Sequence, residues 1–312
     1  MAERPGRRNG SDRAVIVLAK GPGGERILPA AIHMRLDREE DAPADSMEAT
    51  FPLSADCGPI TGLTVSDQTG TVLFDGIVDE QEICLTDGTL SLASRSRAAL
   101  LLDNEALPQN YMNPSLATIF SRHLRPYGFT QYLGDGRCFT GTLAVTKGMS
   151  EWTAAAAFCT RFLKTKPRIT GRVFDASGSA PKAELLFGTG GLRFSSALFK
   201  SRYCKLYSEL YVPKPGGGTY LLSVQDQETQ RLTVRRRRFL SGGTNVSPLL
   251  KKAKKNAFAC LLDCPGAPKI SLLSPARVTG APCGFEHGLY VSSIRYLSDV
   301  NGEHTKITLR RK

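Results

Sequence analysis

Between residues 60 and 95 three β-rich runs follow one another with only short turns between them, and this spacing limits the possible folds more than any other feature. The runs cover residues 60–65, 71–85 and 89–95, and the turns carry Ser66-Asp67-Gln68-Thr69-Gly70 and Thr86-Asp87-Gly88. Connections this short join antiparallel neighbours, because a parallel pair needs a crossover of a dozen or so residues. The segment therefore predicts a meander, and strand-like runs at residues 14–18 and 32–36 extend it into a first β unit. Residues 37–46, rich in Asp, Glu, Ala and Pro, predict an exposed acidic loop inside it.

The hydrophobic period then changes. Asn113 before Pro114 predicts a helix start, and Leu116, Ile119, Phe120, His123 and Leu124 follow on one stripe until Pro126 and Gly128. A second helix is predicted from Ser150-Glu151, whose carboxylate suits the positive end of the helix dipole. Its expected buried face is Trp152, Ala155, Ala156, Cys159 and Phe162, and Lys164, Lys166 and Pro167 mark its stop. Residues 139–145 alternate as a strand between the two helices.

β patterns return at residues 169–174, 183–187, 201–212, 219–224 and 232–240, with a loop at Gly188-Thr189-Gly190-Gly191 and a hinge at Pro213-Lys214-Pro215-Gly216-Gly217-Gly218. One helix interrupts them, predicted over residues 247–261 with Ser247 as cap and Pro248 as first residue. Leu250, Ala253, Ala257, Cys260 and Leu261 would face inward, and Lys251, Lys252, Lys254 and Lys255 outward. A hairpin of residues 290–297 and 305–309 follows. Two β units around a helix-containing centre make an α+β, mainly β architecture.

At 312 residues, 41% hydrophobic and 22% charged, the chain can bury a core, which excludes wholesale disorder and a collagen-like fibre. No apolar run approaches the roughly 18 residues of a membrane span. Residues 1–12 read as a flexible arm, and the lack of an apolar stretch behind its arginines predicts synthesis in the cytosol, where the eight cysteines stay reduced. The net charge of +12 is unevenly placed: residues 1–150 hold 14 Lys/Arg against 19 Asp/Glu, net −5, and residues 151–312 hold 27 against 10, net +17.

Catalytic signatures are missing. The chain has no G-x-x-x-x-G-K-[ST], H-E-x-x-H or G-x-S-x-G, and His33, His123, His287 and His304 lie in different segments. His123 sits on the apolar stripe of its helix and reads as a packed core histidine. Cys260, Cys264, Cys283 and His287 have C-x3-C and C-x3-H spacing close to that of zinc ligands, and an iron–sulfur site is a second reading. Against both, Cys260 falls on an inward helix face where a small thiol packs well. No catalytic, cofactor-binding or metal residue is assigned.

The runs Arg235-Arg236-Arg237-Arg238 and Lys251-Lys252-Ala253-Lys254-Lys255 invite a nucleic-acid reading. The arginines continue a strand, so alternate members point to opposite faces, two pairing with acids and two solvated. The lysines occupy the outer face of an amphipathic helix, and no aromatic residues are interleaved with either run. An acidic protein neighbour is the more economical partner.

Several short motifs follow one another: Val72-Leu73-Phe74-Asp75-Gly76-Ile77-Val78-Asp79, then Leu90-Ser91-Leu92-Ala93-Ser94-Arg95-Ser96-Arg97 and Leu101-Leu102-Asp103. Their order resembles the baseplate hub proteins of contractile phage tails and related phage-tail-like particles, the Mu-type tail protein family. An asparagine-led helix at residues 113–116, Pro126-Tyr127-Gly128, the strand at 139–145 and Gly148-Met149-Ser150-Glu151-Trp152 follow in the same order. Ile294, Tyr296, Gly302, Thr305 and Leu309 in the last hairpin also resemble that family. The match covers about residues 60–175 and the last 25 or so; the arginine-rich arm, the polyarginine strand and the cysteine-rich turn depart from it.

The resemblance implies a non-enzymatic hub subunit without a cofactor. It implies a tube-like β-barrel over residues 13–96, an α/β middle domain over 97–194 and a second tube-like β-barrel over 195–312. Three copies would present six barrels, matching a six-fold tail tube protein on one side and a three-fold central spike protein on the other. Tape measure and baseplate wedge proteins are further implied neighbours, with no specific nucleic acid and no membrane segment among the partners. Acidic and basic halves alternating round such a ring would attract at each boundary. A nucleic-acid-binding protein using the basic half, or a tail-associated cell-wall hydrolase, are the competing readings.

Overall fold

The computed structural model describes residues 15–54, 57–283, 285, 287–300 and 302–311; the arm expected at residues 1–12 lies outside them. The chain divides into two units, one of residues 1–179 with Tyr296–Gly302 and one of residues 180–295 with 303–312.

Unit 1 begins with seven strands, β1 (Val15–Gly21), β2 (Gly24–Ile27), β3 (His33–Glu39), β4 (Ser46–Pro52), β5 (Gly62–Asp67), β6 (Val72–Cys84) and β7 (Thr89–Ser96). They pair antiparallel in the order β3-β4-β7-β6-β5-β1-β2, and the predicted meander is its β5-β6-β7 portion. Alternation places Met47, Ala49 and Phe51 of β4 and Leu90 and Leu92 of β7 inside, with Leu63, Val65 and Phe74. Tyr296 packs in the same core. Gly76 of β6 is required by close approach: a Cβ there would lie 2.3 Å from the Arg95 carbonyl oxygen. The acidic loop is shorter than expected. Asp37 stays within β3, where Arg35 Nε donates to it at 2.6 Å, so its charge is met without leaving the strand.

The helical centre of unit 1 comprises α1 (Ala98–Asp103), β8 (Gln109–Met112), α2 (Leu116–His123), β9 (Gln131–Leu133), β10 (Thr142–Val145), α3 (Glu151–Phe158), β11 (Arg168–Thr170) and β12 (Val173–Asp175). The expected stripe of α2 is buried, but its cap is Ser115, which accepts from the Thr118 amide at 3.2 Å. Asn113 instead takes a left-handed conformation, φ 47°, and its Oδ1 accepts from the Gly141 amide. Ser150 caps α3 as expected, and Ala155 and Cys159 of the expected face are fully buried; Glu151, Ala154 and Phe158 join them, whereas Trp152, Ala156 and Phe162 are only partly buried. A π-helical turn, Cys159–Leu163, follows, and left-handed Lys164 ends it.

Unit 2 contains β13 (Leu185–Phe187), β14 (Ser196–Ser201), β15 (Glu209–Pro213), β16 (Tyr220–Gln225), α4 (Gln227–Arg231), β17 (Arg237–Phe239), α5 (Val246–Ala257), β18 (Phe258–Pro265), β19 (Pro275–Val278), β20 (Leu289–Asp299) and β21 (Gly302–Arg311), with the tip of the last hairpin grouped in unit 1. Its main sheet runs β14-β18-β21-β20, and β19 joins β20 and β13. Phe187 of β13 packs in this unit's core, so residues 180–194 separate from the centre with which they were grouped.

Three local expectations are corrected in unit 2. The helix predicted over 247–261 stops at Ala257 and is capped by Asn245; Phe258, Cys260, Leu262 and Cys264 then alternate inward along β18. That four-residue alternation is a period of two, and burial in a sheet overrides helix continuation. The glycine hinge is the turn of the β15–β16 hairpin, with Gly216, Gly217 and Gly218 all at positive φ. The long strand expected over 232–240 reduces to β17, because Thr233 turns left-handed after α4. No helix among the described residues is long and apolar enough to cross a membrane.

Candidate functional site

The cysteine constellation does not converge. Cys260 and Cys264 face the core of unit 2, and burial pushes their thiols up to about 12 and about 11. Cys283 and His287 are both exposed. Among the described residues no three His, Cys, Asp or Glu side chains are grouped as metal ligands.

His123 sits in a buried polar cluster that its helical stripe alone does not reveal. Its Nδ1 lies 2.5 Å from Glu151 Oε2, and its Nε2 lies 2.9 Å from the Tyr111 hydroxyl. Tyr127 donates its hydroxyl to Glu151 Oε1 at 3.0 Å. A carboxylate only accepts, so the imidazole proton belongs on Nδ1, and in the neutral ring Nε2 accepts from Tyr111. A hydroxyl, imidazole and carboxylate in line is a nucleophile's arrangement, but here the hydroxyl is a phenol whose acidity burial weakens. With His123 only 2% exposed, the cluster clamps β8, α2 and α3 together.

The acids and arginines of the hub-like motifs form the second cluster. Arg95 of β7 donates from Nε and Nη2 to both oxygens of Asp79, at 2.7 and 2.8 Å, and from Nη1 and Nη2 to both oxygens of Asp103. Arg97 Nε donates to Asp75 Oδ2 at 2.8 Å, and Arg172 reaches the same oxygen at 3.4 Å. Burial pushes the Asp75 carboxyl up, but the two guanidinium groups outweigh it and hold it below the usual carboxylate range. Hydrogen bonds from Arg95 lower Asp103. The motif residues thus bind the first sheet to α1 and to the turn before β12.

The arginine run divides differently from expectation. Arg236 and Arg238 both lie over the Tyr207 ring, 5.3 and 5.7 Å from its centroid, and Arg238 Nη1 donates to the Tyr207 hydroxyl at 3.3 Å. They pair with an aromatic ring where acids were expected. Arg237 and Phe239 take the other face of β17, and Phe239 contacts Tyr211 and Tyr220 at centroid distances of 5.1 and 5.0 Å. Aromatic and basic groups are therefore interleaved in space, although Tyr207 lies 31 residues before Arg238 in the sequence. The lysine run is also divided: Lys251 and Lys252 are exposed, whereas Lys254 bonds to Asp226 and Glu228 at 2.9 and 2.8 Å.

No protein-family model and no curated protein matches the chain by sequence. Solved structures do. The tail protein of Neisseria meningitidis MC58 superposes with a TM-score of 0.69 at 17% identity, over 96% of this chain and 97% of its own. The 43 kDa tail protein of prophage MuSo2 from Shewanella oneidensis gives 0.75 at 15% identity, over 95% and 98%. The E. coli c3393 protein, a type VI secretion system component described as similar to the T4 tail proteins gp27 and gp5, gives 0.53 at 10% identity, over 90% and 73%. The chain is similar to these proteins in fold, and the α+β, mainly β expectation holds.

Proposed function

We propose that the protein is a structural baseplate hub subunit, assembling as a homotrimer that adapts a six-fold tail tube to a three-fold central spike. The observation that carries this reading is the end-to-end likeness to two tail proteins, which leaves no substantial part of either chain unmatched. In this reading each of the two β units acts as a tube-like barrel. Tail tube, central spike, tape measure and baseplate wedge proteins are the neighbours, and the protein is made in the bacterial cytoplasm and joins a tail baseplate. The site geometry is in keeping with a non-enzymatic role, since the buried histidine is spent on a clamp and the inward thiols pack in a core.

Light scattering of the purified chain, followed by cross-linking within assembled particles, tests this. A trimer that cross-links to tube and spike is expected. A monomer at all concentrations, absent from particles, overturns it.

A further inference from the structure

Two surfaces of this chain are complementary to each other. The first is the outer end of the β6–β7 hairpin in unit 1. β5 pairs with β6 only as far as Ile77, so among the described residues no strand covers the outer edge of Glu80–Cys84. Glu80 and Glu82 are exposed on one face of this edge, Ile83 is 45% exposed, and Leu85 in the turn is 82% exposed beside Asp87. Glutamates alone would only blunt a free edge; an exposed leucine at the tip of the same hairpin does the opposite.

The second surface is the three-stranded sheet β16-β15-β17 of unit 2. Tyr220, Leu222 and Phe239 are 46, 48 and 53% exposed; Arg237 of β17 is exposed too, as is Arg235, two residues before that strand. One carboxylate, Glu209, lies on this sheet, and Tyr211 donates its hydroxyl to it at 3.0 Å. Among the described residues neither Glu80 and Glu82 on the hairpin nor Arg237 on the sheet and Arg235 just before it make an ion pair. Tyrosine, phenylalanine and arginine are the side chains that dominate protein interfaces.

From this pairing of an acidic, leucine-tipped edge with a basic, aromatic face, we propose that the β6–β7 hairpin of one copy docks on the β16-β15-β17 sheet of a second copy. The proposal rests on the homotrimer reading and names its contact. Leu85 at the hairpin tip meets the aromatic side chains while Glu80 and Glu82 meet Arg235 and Arg237. Because the two surfaces differ, the contact is head-to-tail, and three such contacts close a ring if the rotation is a third of a turn.

Charge reversal in the full chain tests the contact. Arg235→Glu with Arg237→Glu, and separately Glu80→Arg with Glu82→Arg, are each expected to weaken self-association by at least about tenfold in analytical ultracentrifugation. The fourfold variant, with both charges exchanged, is expected to recover association, and circular dichroism checks that each variant is folded. If any reversed variant does not fold, Leu85→Asp gives the same readout without touching the arginines. Unchanged association in all variants of a wild-type trimer overturns the contact and leaves the hub reading standing. A wild type that never associates overturns both. Loss of single-stranded oligonucleotide binding in the arginine variant, with association intact, assigns the sheet to nucleic acid and overturns the proposal.

Discussion

Arg95 meets Asp103 with both terminal guanidinium nitrogens on both carboxylate oxygens, at 3.0 and 2.7 Å, while its other edge holds Asp79 in a second fork. Arg95 belongs to the last strand of the first sheet and Asp103 closes α1, so the fork fixes the direction in which the chain leaves the sheet. The guanidinium itself is held more firmly protonated by Asp79 and Asp103.

Lysine cannot make two forks at once, so Arg95→Lys should behave nearly as Arg95→Ala. All three partners are about a third or more exposed, which limits the loss to about 1 kcal/mol in urea unfolding. A double-mutant cycle of Arg95→Ala with Asp103→Ala should return a coupling of roughly 0.5 kcal/mol. Strict additivity would show that the fork is ornamental.

Acid should loosen the same joint. Asp75 and Asp103 have folded values below their ordinary 3.8, so their stabilisation is complete above that value and is lost as pH falls through the folded ones. Asp45 acts in the opposite sense: burial raises it despite Arg38, so its ionised form costs stability that is recovered as pH falls through its folded value. The urea midpoint is expected to be flat down to about pH 5 and to fall below about pH 4. Asp75→Asn should shallow that fall; an identical slope in the variant would remove Asp75 from the account.

The elements themselves were legible where one period ran long enough: the β5-β6-β7 meander, the buried stripe of α2 and the last hairpin follow directly from their residues. Errors came where two periods abut. Cys260 satisfies both a helix continuing from Ala257 and a strand starting at Phe258, and only its sheet neighbours in β14 and β21 decide between them. The site was less readable than the fold because its partners are distant in sequence. Glu151 at a helix start suits the dipole, and nothing local shows that His123 waits for it 28 residues away. For Arg95 a signal did exist: acids at 75 and 79 face arginines at 95 and 97 across one predicted hairpin, as opposite charges on neighbouring strands do.

The buried clamp gives a larger effect than the surface forks. His123→Ala leaves Glu151 without its nearest partner in a site where His123 is 2% and Glu151 8% exposed. Removing one member of a buried pair costs about 3–5 kcal/mol, and that loss is expected in urea unfolding. Glu151→Gln keeps the size of the side chain and one acceptor oxygen, removes the charge and puts an amide donor in place of the other oxygen, so it leaves no stranded carboxylate and should cost less than half as much. Equal losses for the two would mean that the broken hydrogen bonds of the cluster, and neither a cavity nor a stranded carboxylate, set the cost.

Thiol chemistry separates the packing reading of the cysteines from a metal-binding one. Cys138, Cys204 and Cys283 are exposed, whereas Cys159, Cys260 and Cys264 are buried, and burial pushes Cys159 up to about 12 as well. A thiol reacts only as its thiolate, so the native protein should show a fast phase from the exposed three and a very slow one from the buried three. Cys57 and Cys84, half-buried, should fall between, and denaturant should make all eight react alike. If Cys260 and Cys264 are packing residues, adding a chelator should leave both the rates and the melting temperature unchanged. A chelator that speeds their reaction and lowers the melting temperature would show that a metal holds this strand, and the packing account of β18 would fall.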